Sequence, residues 1–136
     1  MANQLYNEGR ELFATGAINW TTSDIRMCLV YSSYTFAATH QFLDSILPAE
    51  RCAIGTVANR TATDGYCDGD EVAFVGLDCT TDNVAYIVFY LHTGNDATSS
   101  LLVYYDVVGG FPLVQDGDYT IFPDLAFGPT GSYFRI

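Results

Sequence analysis

The chain contains no lysine; its five cationic side chains are all arginines (Arg10, Arg26, Arg51, Arg60 and Arg135). That absence excludes Schiff-base chemistry on a lysine and the ammonium group of a phosphate-binding loop. Sixteen acids oppose the five bases, giving a formal charge of -11. Phosphate backbones need clustered cations for their neutralisation, so a nucleic-acid partner is not expected. The same charge opposes docking on an anionic membrane. Two histidines, His40 and His92, are the only imidazoles. Neither belongs to a nucleophile elbow or other local catalytic pattern, so no catalytic residue is assigned and the chain is read as a non-enzyme. Glycine-rich phosphate and dinucleotide loops are also missing. No apolar run approaches the roughly 20 residues that span a bilayer. The opening Met1-Ala2-Asn3-Gln4 carries neither a basic nor an apolar signal region, so synthesis and folding in a cytoplasm are expected.

The four cysteines, Cys28, Cys52, Cys67 and Cys79, form no closely spaced pair, which argues against the usual zinc framework. Cys28 lies in the apolar run Ile25–Val30 and reads as a buried thiol. Cys67 and Cys79 flank a strand-like segment in turn-like sequence. A cytoplasm keeps them reduced, whereas an extracellular particle could oxidise them, so Cys67–Cys79 is the candidate disulfide, within or between subunits. The acidic stretch Asp64-Gly65-Tyr66-Cys67-Asp68-Gly69-Asp70-Glu71 has the composition of a calcium loop, but not the spacing of the helix–loop–helix pattern. A solvated turn leading into a strand accounts for it, and no metal or other cofactor is assigned.

What is abundant is apolar and aromatic: 49% and 15% of 136 residues, enough for one folded core. Short β-type runs occupy 25–31, 71–77, 84–92, 101–107, 119–122 and 132–136, with a weaker one at 52–57. Turn signals separate them at Asp64-Gly65, Gly109-Gly110, Asp116-Gly117 and Gly128-Pro129. Runs 84–92 and 101–107 predict an antiparallel hairpin with a polar tip over 93–100. One helix is predicted, Glu8 to Thr15, capped by Asn7 and ended by Gly16. The whole chain reads as one all-β domain, an antiparallel sandwich or jelly-roll-like barrel. Its first 20 residues form a helical or extended arm, packed on the domain or on a neighbour.

Both faces of run 84–92 are apolar: Val84, Tyr86, Val88 and Tyr90 on one, Ala85, Ile87, Phe89 and Leu91 on the other. Such a strand is either covered on both sides by its own chain or completed by another subunit. Candidate contact residues for a partner or a second copy are therefore Tyr86, Val88 and Tyr90, together with Leu5, Tyr6, Leu12, Phe13 and Trp20 of the arm.

The opening Leu5-Tyr6-Asn7-Glu8-Gly9-Arg10 through Phe13, Gly16, Ile18 and Trp20 resembles a family of tailed-bacteriophage virion proteins. The likeness continues through Asp24-Ile25 to Leu29-Val30, Tyr34-Thr35, Gly65 to Phe74, Tyr90 to Gly94, Ser100-Leu101 and Asp106. It ends on Gly110-Phe111-Pro112, Gly117 and Ile121, and the family's closing pattern is altered over residues 122–136. The resemblance implies a structural component of a virus particle. The size of family members suggests a head decoration (cement) protein on the outer capsid surface, whose partners would be the major capsid protein and copies of itself. An alternative within the same class is a tail, baseplate or fibre module that binds a host receptor or glycan through its tyrosines and Asp/Asn-rich loops.

Overall fold

A computed structural model describes residues 4–106, 111–122 and 133–135. It is an all-β sandwich with one short N-terminal helix. Strand β1 (Gln4–Leu5) leads into helix α1 (Asn7–Thr15). Then come β2 (Ile25–Tyr31), two short 3₁₀ turns (Leu43–Ser45 and Pro48–Glu50), β3 (Arg51–Thr56), β4 (Thr61–Thr63) and β5 (Tyr66–Asp68). The long β6 (Val72–Leu91), β7 (Leu101–Tyr105), β8 (Leu113–Ile121) and β9 (Phe134–Arg135) complete it. The larger sheet has the order β1-β7-β6-β2-β3, with β8 added along β6, and β4-β5-β9 form a small second sheet. All its pairings are antiparallel.

The expected strand at 25–31 and the expected hairpin are both present. Phe89 faces Val103 and Val88 faces Tyr104 across the β6–β7 pair. Runs 71–77 and 84–92, however, are one strand of 20 residues rather than two. Its middle, Asp78 to Asn83, is polar because its outer face is in water, not because the chain turns. Two register shifts against β8, between Phe74 and Leu77 and between Cys79 and Val84, bend the strand. The Asp116-Gly117 pair is likewise not a turn: Gly117 sits inside β8 with φ 101°, facing Leu77. The Asp64-Gly65 turn is as expected, with φ of 54° and 82° closing the β4–β5 hairpin. The expected turns at Gly109-Gly110 and Gly128-Pro129 lie outside the described residues.

Two apolar clusters sandwich the central strands. On β2, Ile25, Met27, Leu29 and Tyr31 point into one cluster, Cys28 and Val30 into the other. On β6, Val84, Ile87 and Phe89 join the first, Val88 and Tyr90 the second. The first cluster is closed by Trp20, Tyr133, β5 and the N-terminal half of β6. The second is closed by Tyr6 and the segment carrying Tyr34, Leu43 and Ile46. The doubly apolar strand is thus covered by its own chain on both sides.

Helix α1 starts one residue earlier than expected, and Tyr6 rather than Asn7 is its N-cap, without a side-chain cap bond. The cause is tertiary: the Tyr6 N–H donates to the Leu102 carbonyl (2.9 Å) and its ring is fully buried. Gly16 ends the helix in the left-handed region, at φ 73°. Gly9 lies flat against β7, where a Cβ would stand 2.4 Å from the Leu102 carbonyl oxygen.

The cysteine expectation is corrected. Cys52 of β3 bonds Cys79 of β6, their Cα atoms 5.5 Å apart, whereas Cys67 is free and buried. Cys79 lies inside β6 instead of in a turn, and the bend of β6 carries it over β3, far in sequence but adjacent in space. Cys28 is the buried free thiol that its apolar run predicts.

Two outcomes test this packing. Replacing Cys52 and Cys79 together by serine opens a loop of 27 residues and should cost about 3–4 kcal/mol, read from denaturant midpoints. Gly9→Ala should destabilise by about 1–3 kcal/mol, because the new methyl meets backbone that cannot rotate away; an unchanged midpoint would contradict the close contact.

Candidate functional site

The eight side chains expected to meet a partner divide into two groups. Tyr6, Trp20, Val88 and Tyr90 are buried in the chain's own clusters, so as contact residues they are corrected to core residues. Leu5, Leu12, Phe13 and Tyr86 are half-buried and lean on those clusters. Trp20 shows why the arm belongs to its own domain. Its indole N–H donates to the Asp68 carbonyl (2.9 Å), and its ring meets Phe89 and Phe134 at 6.0 and 5.1 Å. Burying such a ring stabilises by about 2–3 kcal/mol, which favours this intramolecular seat over an exposed one.

Polar groups inside the fold hold loops. The Tyr6 and Tyr34 hydroxyls are 3.0 Å apart, and the Tyr34 hydroxyl lies 2.8 Å from His40 Nδ1. This chain ties the helix entrance to the segment that covers the second cluster. Arg51 donates from Nε to the Ile46 carbonyl (2.6 Å) and from Nη2 to the Leu43 carbonyl (2.8 Å). Its Nη1 meets Asp96 Oδ2 at 2.7 Å. Arg60 donates to the carbonyls of Trp20, Val57 and Ser23. Burial lowers its pKa, partly offset by Asp24. Both guanidiniums act as staples between strands and loops and are already engaged.

Beside α1 lies an open groove of about 310 Å³ lined by Asn7, Glu8, Glu11, Thr39 and Gln41. Gln41 donates to Glu8 across it (3.1 Å). Its two carboxylates come with no imidazole, thiol or guanidinium that could share a proton or hold an oxyanion. Among the described residues no three His, Cys, Asp or Glu side chains gather as metal ligands. No described helix is long and apolar enough to cross a membrane.

The exposed chemistry lies elsewhere, on the part of β6 that extends beyond the central sheet with β8. Its inner face, Val72, Phe74, Leu77 and Cys79, is buried. Its outer face shows Ala73, Val75, Asp78 and Thr80 on β6, with Val114, Asp116 and Asp118 on β8. Val75 is 79% exposed, Val114 56% and the following Phe122 44%. Asp78 stands directly opposite Asp116 in the ladder, and Asp118 accepts a hydrogen bond from the Gly76 N–H at 2.9 Å. Sequence reading missed this face because its polar residues had been taken as turns. The signal for it was present in the alternation of Val72 to Leu77 with Ala73 and Val75.

No protein-family model matches the chain, and no curated protein matches it either.

The buried acids of the core, thiols and phenols, give two outcomes. Burial pushes Cys28 up to about 12 and Cys67 up to about 11. A thiol reagent at pH 8 should therefore leave the native protein unmodified, and label two cysteines after unfolding and four after unfolding with reductant. Rapid native labelling would contradict the burial. Burial also pushes Tyr34 and Tyr90 up to about 12 and Tyr6 above the ordinary phenol range. Between pH 10 and pH 12 the unfolded chain has lost protons that the folded chain keeps, so stability falls as pH rises. Their contribution is fully present below pH 10. A denaturant midpoint independent of pH from 9 to 12 would rule this out.

Proposed function

We propose that the chain is a non-enzymatic structural component of a tailed-phage particle, a head decoration protein that binds the assembled capsid lattice and stabilises it. The observation that carries this reading is the exposed outer face of the β6–β8 ribbon. It presents apolar side chains to water on a two-stranded platform, whereas the apolar faces of the central strands are satisfied internally. Such a platform suits contact with a broad surface, and many copies on a lattice multiply a modest contact into firm retention. The ordered likeness of residues 5–121 to phage virion proteins supports the same reading. An acidic exterior keeps the free subunit soluble before it docks.

Purified chain should bind expanded, empty capsids to a fixed stoichiometry of hundreds of copies and raise the temperature at which they open. Binding to host cells or glycans without capsid affinity would favour a tail or fibre module. Absence of any capsid binding or protection would end the decoration reading.

A further inference from the structure

We infer that the outer face of the β6–β8 ribbon is the docking surface, and that it takes a folded protein surface presenting arginine or lysine side chains flanked by apolar groups. The inference rests on the capsid reading for the identity of that partner and on the ribbon itself for its chemistry.

Cross-strand register sets the layout. Ala73 lies opposite Thr120, and Asp78 opposite Asp116. Asp118 bonds the Gly76 N–H beside Val75, and Val114 projects where β6 bulges between Cys79 and Val84. Along β8, Val114 and Asp118 are four residues apart, roughly 13 Å at the rise of an extended strand. The face therefore reads as apolar groups at either end of a carboxylate row. Two aspartates directly opposite each other repel and lower the stability of the isolated ladder. Among the described residues no ion pair reaches either of them; the pairs there are Arg26–Asp24 and Arg51–Asp96, on other elements. A cationic counter-surface relieves that repulsion and at the same time buries Val75 and Val114.

Charge complementarity decides among occupants. Nucleic acid and anionic lipid carry the same sign as the aspartate row. A second copy pairing along β8 would bring Asp116 and Asp118 against their own kind. A basic protein surface gains from both the carboxylates and the valines, and contact between them strengthens as salt is lowered.

The test uses the full chain and has two arms. In the first, amide shifts are followed during titration with an amphipathic peptide of alternating arginine and leucine, with an arginine–serine peptide as control. Shifts should concentrate on residues 73–81 and 114–120 and be several-fold weaker with the control. Shifts spread evenly over the acidic surface, or none on the ribbon, overturn the assignment of the face. In the second, Asp78→Asn/Asp116→Asn and Val75→Ser/Val114→Ser variants are bound to empty capsids over a salt series. Each should weaken binding about tenfold or more, the aspartate variant also flattening the salt dependence, whereas Leu47→Ser/Ile54→Ser, at exposed apolar side chains outside the ribbon, should leave binding unchanged. Thermal unfolding separates loss of contact from loss of fold, since removing the opposed aspartates should hold or raise the melting temperature. Wild-type binding that the ribbon variants leave intact overturns this inference and spares the decoration reading. Peptide shifts on the ribbon with no wild-type binding to capsids overturn the decoration reading and spare the face.

Discussion

Strand β6 sets the constraint on which the rest depends. A strand of 20 residues reaches well beyond the width of one sheet, so its two halves meet different surroundings. The C-terminal half is the middle of the larger sheet, between β2 and β7, and must be apolar on both faces. The N-terminal half has only β8 beside it and must be apolar on one face. Register shifts within the first half, at Phe74–Leu77, and between the halves, at Cys79–Val84, let the strand bend, so its first half packs over the cluster that its second half lines. The Cys52–Cys79 bond fixes that bend covalently by joining β3 to the returning ribbon. Tyr6, Trp20 and the segment from Tyr34 to Ile46 fill what remains. Removing the bend would strip the first cluster of the cover that Val72, Phe74, Leu77 and Cys79 give it.

How much of this was legible in the sequence follows from how local each signal is. The strand at 25–31, the hairpin with its polar tip, the Asp64-Gly65 turn and the Gly16 helix end all depend on neighbouring residues, and all are present as read. The continuity of β6 was not legible, because Asp78, Thr80, Thr81, Asp82 and Asn83 have the composition of a turn, and the strand is carried through them by pairing with β8 on either side, at Asp78-Cys79 and at Val84. Gly117 was misread for the same reason: a positive φ serves a bulge as well as a turn. The disulfide was misassigned because its partners are brought together by the bend, which sequence spacing does not encode. The two apolar faces were identified correctly from Tyr86 to Leu91, but Val84 was assigned to the face of Tyr86, Val88 and Tyr90 and instead packs with Ile87 and Phe89, because the register shifts beside it; nor can a periodic pattern say whether the cover comes from the same chain. Here, for the second cluster, it comes from Tyr6, Tyr34, Leu43 and Ile46, the last three scattered through a stretch with no strand or helix periodicity to mark them.

The acidity also has an internal cause. Arg51 and Arg60 spend their donors on backbone carbonyls, and Arg26 meets Asp24. With no lysine in the chain, few cations remain to balance the surface. Solvation of the exterior then falls to the carboxylates. Placing two of them across a ladder from each other sacrifices a little stability of the isolated fold. That cost is small beside two closed apolar clusters, and it is the kind of local conflict that accompanies a contact surface.

Magnitudes also bear on how such a face would act. Burying two valines and part of a phenylalanine is worth a few kcal/mol in transfer terms, while association of two bodies costs at least about 4 kcal/mol in lost freedom. Apolar contact alone therefore gives a single copy only weak affinity. The carboxylate row adds encounter rate and orientation more than strength. On the proposed decoration role, firm retention would come from repetition over a lattice and from a subunit that loses little entropy on docking. A disulfide-tied ribbon with its inner face buried meets the second condition, because its side chains are presented on backbone that is already ordered. A pocket would need depth, and the sandwich has filled its depth with its own tyrosines and phenylalanines. What the β6–β8 ribbon offers a partner is instead an acidic and apolar edge.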